Sequence, residues 1–229
     1  MSTAAASFEA PINRREEVAG KPGVVRFLRM PEHRFVMIDG EGPPAESAFV
    51  DRMPGLYATA YSLRFALKKR GVVEKVGLLE GLWWTTDGTT DLDAIFGPGP
   101  GTGDEAERHG DEAERHGDRS TWRWTLMIGL PDQATPGELT AALETGRGRL
   151  ASPLAAALRV ERFAEGDVAQ LLHVGPYAEE RPSIERLHAA IHEAGLRAVG
   201  RHHELYVGDP QRSAPARLRT ILRQPVAAR

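Results

Sequence analysis

Two stretches of this chain carry the same local plan at the same spacing, and that repetition limits the folds open to it. Residues 71–80 read GVVEKVGLLE and residues 195–204 read GLRAVGRHHE, so a glycine and a glutamate recur with identical separation in each half. A glycine closing a periodic segment is a helix stop, and the glutamate then falls on the strand that follows. Trp84 after Glu80 and Tyr206 after Glu204 have the parity of their glutamate, so each carboxylate and its ring project from one strand face. An internal duplication of a helix-to-strand passage follows.

The rest of the chain extends that plan. Residues 34–39 form a short apolar run stopped by Gly40, Gly42, Pro43 and Pro44, and the first ordered strand is expected near His33. Phe49, Met53, Leu56, Ala60, Leu63 and Leu67 recur at helical spacing; Pro54 among them predicts either a kink or a helix that starts there. Strands are expected over Lys75 to Thr85 and Thr121 to Gly129, a helix over Thr135 to Leu150, and two apolar runs over Leu158 to Val174 around the turn at 165–167. Ser183 is the expected N-cap of a second helix with Ile184, Leu187, His188 and Ile191 on its apolar face, followed by strands at Val199 to Val207 and Leu218 to Val226. The expected fold is α+β: two tandem strand-helix-strand-strand modules related by a pseudo-twofold, with helices packed on antiparallel sheet. Residues 1–24 read as a loosely held extension, 25–130 as the first module and 131–229 as the second. Within the first, residues 97–119 contain GDEAERH twice in succession, a polar repeat without an apolar seam that reads as a solvated insertion.

Composition removes several classes of function. There is no cysteine, so disulfides, thiol nucleophiles and cysteine-rich zinc sites are excluded. The formal charge of −3 lacks the basic excess of a nucleic-acid or membrane-surface binder. With no signal-like or membrane-length apolar run, the expected location is cytoplasmic. His188 and His192 have zinc-pair spacing, but Ala189 stands where a metalloprotease helix carries its glutamate and no third ligand is evident; no metal and no cofactor is expected. Neither a phosphate-binding loop nor a nucleophile elbow is present.

The remaining chemistry lies with acids and rings. His202, Glu204 and Tyr206 alternate onto one strand face, and Glu80 shares a face with Leu82 and Trp84, leaving Trp83 on the other. Trp122 and Trp124 share a face and serve equally as sheet packing or ligand lining. Tyr57 and Tyr61, one helical turn apart, read as core. A carboxylate walled by rings is a receptor for a bulky apolar cation.

Six separated motifs sharpen this: IDGEGPP at 38–44, LEGLWW at 79–84, WRWTLMIGLP at 122–131, EGDVAQLLHVGPY at 165–177, HHELYVGDP at 202–210 and TILRQPV at 220–226. In that order they resemble the gyrase-inhibitor-like (GyrI-like) small-molecule-binding proteins. The resemblance spans about residues 25–229, with Pro54 and the duplicated insertion departing from the pattern. It implies an aromatic, acidic groove between paired modules, and ligand-binding roles for Glu80, Trp83, Trp84, Tyr177, Glu204 and Tyr206, to which the strand reading adds Trp122 and Trp124. The leading expectation is sequestration of hydrophobic, aromatic and often cationic small molecules, as in multidrug binding and resistance. The alternative is a hydrolase that opens cyclopropane-bearing or similar strained electrophiles with Glu204 as general acid or base, as some members of that family do.

Overall fold

The computed structural model describes residues 6–11, 13–42, 47–86, 121–208 and 212–229. The duplicated GDEAERH segment lies outside them. In chain order the elements are α1 (Arg14–Glu17), β1 (Arg26–Met30), β2 (His33–Glu41), α2 (Ser47–Val50), α3 (Met53–Lys69), β3 (Leu79–Thr85), β4 (Trp122–Leu130), α4 (Pro136–Arg147), α5 (Ser152–Ala157), β5 (Arg159–Phe163), β6 (Gly166–Val174), α6 (Arg181–Glu193), β7 (Leu196–Ala198), β8 (His202–Tyr206) and β9 (Arg219–Ala228). The strands form a nine-stranded antiparallel sheet with helices packed on it, an α+β fold.

Contacts divide the chain into two compact units, Met1–Met30 with Leu82–Trp122 and Glu165–Arg229, and Pro31–Gly81 with Arg123–Ala164. These interleave along the chain, so they group contacts rather than consecutive repeats. In the first unit β1, β6, β9, β8 and the end of β3 are successive neighbours, with β7 on β9. Ile184, Leu187 and Ile191 of α6 pack on Ala169, Leu171, Leu222 and Val226, which alternation places on one sheet face. Register puts Glu204 opposite Leu222 and Tyr206 opposite Thr220, so Glu204 and Tyr206 share that helix-covered face. The reverse face carries Gln170, Arg223 and His203, aligned across β6, β9 and β8.

Local sequence explains the element ends. Gly71 and Gly195 stand just beyond α3 and α6 with φ of 82° and 72°, the left-handed region that ends helices at glycine. Pro54 occupies the first turn of α3, where its missing N–H costs nothing, so the helix starts there without a kink. Thr135 caps α4 with a reciprocal Glu138 box.

Four expectations are corrected. The described part of residues 1–24 is packed: Asn13 caps α1, Glu17 is buried, and the segment bridges to Leu28 and Leu172. An additional strand, β1, precedes His33 and pairs with β6. Regular strand begins at Leu79 instead of Lys75; Gly77, just before it, lies against the Gly129 backbone, whose oxygen is 2.7 Å from where a Cβ would stand. The last helix begins at Arg181, with Pro182 in its first turn, and Ser183 lies inside that turn instead of capping it. No helix among the described residues is long and apolar enough to cross a membrane.

In the second unit β3, β4, β2 and β5 are neighbours, and α3 crosses α4 at a glycine contact. A Cβ on Gly146 would collide with Thr59 Oγ1 and the Gly55 carbonyl oxygen, whereas one on Gly137, in the same helix, meets nothing. Gly146→Ala should therefore destabilise the protein by about 1–3 kcal/mol. Gly137→Ala should leave it unchanged or slightly more stable. Urea denaturation of the pair checks this, and equal midpoints would refute the close-packing account.

Candidate functional site

The site is built on the helix-covered face of the first unit. Glu204 is 7% exposed in the middle of β8, and Tyr206, two residues on, donates its hydroxyl to Glu204 Oε2 at 2.8 Å. His202, buried on the same face, brings Nε2 to 3.6 Å from Glu204 Oε1. Burial first, then the charge of Glu204 and the bond to it, hold the Tyr206 phenol well above its ordinary range; the indole N–H of Trp83, facing its oxygen, opposes that rise. A chain of rings runs through the cluster. Tyr177, 42% exposed, meets Tyr206 edge-on at 5.8 Å between centroids, and Trp83 meets Trp122 edge-on at the same distance. Tyr177 is the solvent-facing end.

Glu180 completes the site. It immediately precedes α6, its backbone oxygen accepts from Ser183 and Ile184 N–H, and its side chain is buried, the residue being 4% exposed. Burial, followed by the negative charge of Glu204, pushes its carboxyl up to about 9, while the Thr220 hydroxyl beside it acts weakly in the opposite sense. At neutral pH Glu180 therefore keeps its proton.

The eight residues singled out from sequence do not all meet. Glu204, Tyr206, Tyr177, Trp83 and Trp122 form the cluster just described. Alternation along β3 sends Trp84 to the reverse face, where the Arg201 guanidinium lies 3.8 Å from its ring centroid. Glu80, 4% exposed, has the parity of Trp84, not of Trp83. Trp124 is fully buried in the second unit, its N–H donated to the Gly42 carbonyl and its ring against Phe49 and Arg52. Tyr57 and Tyr61 stack at 6.5 Å along α3, and Tyr61 continues to Phe65 at 6.3 Å; Tyr61 and Phe65 are exposed. Sequence reading missed Glu180, because an acid at a helix start is ordinary there. The available signal was its adjacency to the GPY turn.

The reverse face holds a second buried polar group. Arg223 donates to Gln170 Oε1, to Glu165 Oε2 at 2.7 Å and to the Glu17 carbonyl, and His203 Nδ1 lies 2.9 Å from Glu165 Oε1. Burial would raise the Glu165 carboxyl, but the charges of His203 and Arg223 outweigh it and hold it down at about 2.

The chain is similar in structure to an uncharacterized conserved protein from Listeria innocua, with 28% identity over 93% of this chain and 97% of that one and a TM-score of 0.72. It is similar as well to a hydrolase from Listeria innocua, with 27% identity, coverage of 93% and 96%, and a TM-score of 0.68. The C-terminal domain of EcmrR shares the fold at 11% identity, covering 90% of this chain and 98% of that domain with a TM-score of 0.51. No protein-family model and no curated protein matches the chain.

The buried proton has a consequence for stability. Glu180 moves from an ordinary 4.5 to about 9 on folding, so between those values the folded state holds a proton that the unfolded chain has released. Stability should therefore fall as pH rises through that window, with a contribution on the order of 1 kcal/mol per pH unit. Glu180→Gln keeps the neutral shape, removes this contribution and should be the more stable protein at pH 8. Unfolding free energies from pH 5 to 9 test this; parallel curves for the two proteins would disprove a buried protonated Glu180.

Proposed function

We propose that this chain is a gyrase-inhibitor-like small-molecule-binding protein that hydrolyses bulky, aromatic electrophiles, with Glu180 as general acid and Glu204 as general base. The observation that carries the proposal is the Glu180–Glu204 pair: two buried acids beside a row of rings, one of them with its carboxyl pushed up by burial and by the charge of the other. Paired titratable groups whose surroundings push them apart are the usual basis of acid–base division of labour at neutral pH. Similarity to a hydrolase at 27% identity over nearly the whole chain supports the same reading.

The chemistry follows from the two environments. Tyr206 binds one oxygen of Glu204 and leaves Oε1, on the His202 side, to accept a proton from water. With a cyclopropane conjugated to a carbonyl, the water oxygen bonds to a ring carbon and the strained C–C bond breaks. Its electron pair moves to the carbonyl oxygen, which takes the proton from Glu180. The net change is addition of one water, with the proton received by Glu204 returned to Glu180 afterwards. Tyr177, Tyr206, Trp83 and Trp122 supply the area and dispersion that hold such a substrate.

Glu204→Gln should lower turnover of an activated cyclopropane by about 100-fold or more while ligand affinity persists, and Glu180→Gln should do likewise. Because the acid must be protonated, the wild-type rate should fall as pH rises through about 9, and that limb belongs to Glu180. Stopped-flow absorbance with mass-spectrometric identification of the water adduct reads both. Full activity in either glutamine variant would end the acid–base assignment.

One observation favours binding without turnover: a pair holding one proton presents a single negative charge among rings, the complement of an apolar monocation. On that reading Glu204→Gln should weaken a lipophilic phosphonium by about 1–2 kcal/mol and leave a neutral analogue of similar size unaffected. Tryptophan fluorescence titration separates the two, and wild-type protein that returns every electrophile unaltered would leave only this reading.

A further inference from the structure

The outer side of α3 carries a row of rings that the core does not use. Leu56, Ala60, Leu63 and Leu67 recur at helical spacing and are buried, so they form the stripe that α3 turns toward the interior. Tyr57, Tyr61 and Phe65, each one turn apart, fall on the other side. Ring centroids are 6.5 Å apart for Tyr57 and Tyr61 and 6.3 Å for Tyr61 and Phe65, with interplanar angles of 33° and 31°, so the three make one continuous row. Tyr61 is 45% exposed and Phe65 53%. The Arg64 guanidinium lies 5.5 Å from the Phe65 centroid, is tied to the Glu74 carbonyl oxygen and flanks the row. Exposed apolar residues scattered singly are normal on any protein, whereas a contiguous patch of large rings rimmed by charge marks an association surface.

The layout is self-complementary. α3 has 17 residues and Tyr61 is the middle one, so a two-fold axis at Tyr61 lays the helix antiparallel on a copy of itself over its full length of about 25 Å. Under that axis Tyr57 of one copy meets Phe65 of the other, and the two Tyr61 rings meet each other. Exposed valines stand beyond both ends, Val50 eleven residues before Tyr61 and Val73 twelve after it. Charge selects the same orientation. α3 contains no acidic residue; Lys68 and Lys69 are exposed in its last turn, and exposed Asp51 stands two residues before its start. An antiparallel pair brings each Asp51 to the lysine end of the other helix and opposes the two helix dipoles, whereas a parallel pair puts the lysines of both copies together.

We propose that this side of α3 is a homodimer interface on which a second copy of the chain packs antiparallel, ring row against ring row, with Asp51 at the Lys68–Lys69 end of the other copy. A seam one helix long falls at or below the roughly 1,200 Å² at which stable specific interfaces begin, so the dimer is weak, reversible and formed at micromolar concentration or above. The rings carry the affinity, and the charges at the ends set the direction. Glu180 and Glu204 lie on other elements, and the dimer is independent of what they do.

Sedimentation velocity on the full chain, from low micromolar to near-millimolar concentration, tests this, with circular dichroism checking that each variant is folded. The wild type should pass reversibly from monomer to dimer. Tyr61→Glu and Phe65→Glu, both at exposed positions, should raise the dissociation constant by about tenfold or more, and Tyr61→Phe should keep it. Asp51→Lys alone, and Lys68→Glu with Lys69→Glu, should each weaken the homodimer by about tenfold, because like charges then meet at both ends. An equimolar mixture of those two proteins should associate with wild-type affinity, since every end contact is again between opposite charges. Added salt should shrink the differences among the charge variants and spare those among the ring variants. A wild type that stays monomeric throughout overturns the proposal and leaves the ring row to a different partner. A dimer untouched by Tyr61→Glu overturns it by placing the contact elsewhere, and a mixture that fails to recover affinity rejects the antiparallel arrangement.

Discussion

Arg223 carries its guanidinium inside the protein, 3% exposed, and the strands around it are arranged by the need to answer that charge. Gln170 on β6 takes two of its N–H groups, Glu165 at the β5–β6 turn takes another, and the Glu17 carbonyl fixes the N-terminal segment over the same spot. Removing one partner of a buried ion pair costs about 3–5 kcal/mol, because the charge left behind has no water to turn to. The network therefore specifies arrangement more than it adds stability. It holds β6, β9 and β8 in one register and makes the first residues of the chain part of the fold.

That register decides what the opposite face presents. His203 is held on the reverse side at Glu165, so strand alternation leaves His202, Glu204 and Tyr206 no choice but the face under α6. A slip of one residue would exchange the two sets, placing Glu204 against Arg223 and His203 among the rings. The carboxylate of the site is thus positioned by a cation cluster it does not touch.

Much of this was legible in sequence because it is local. Gly71 and Gly195 ended helices as glycines do, Pro54 started one, and the parity that joins Glu204 to Tyr206 became a 2.8 Å hydrogen bond. What failed was non-local. Parity put Trp83 and Trp84 on opposite faces, but only a strand neighbour decides which ring faces Tyr206 and which meets Arg201. Arg223 offered no signal in sequence, since its partners come from sites 53 to 206 residues away. Ser183 read as a cap because serine favours that role, and its bond to His173 depends on β6 lying beneath the helix. Glu180 was invisible for the same reason: at a helix start it is unremarkable until Glu204 is beside it.

The two glutamates of the site differ in their surroundings, not in residue type. Glu204 receives a hydrogen bond from the Tyr206 phenol. The charge of Glu180 is opposed first by burial and then by Glu204, and the Thr220 hydroxyl beside it offsets only part of that. Strand alternation, which puts Tyr206 on the face of Glu204, therefore sets which of the two acids receives the phenol's hydrogen bond.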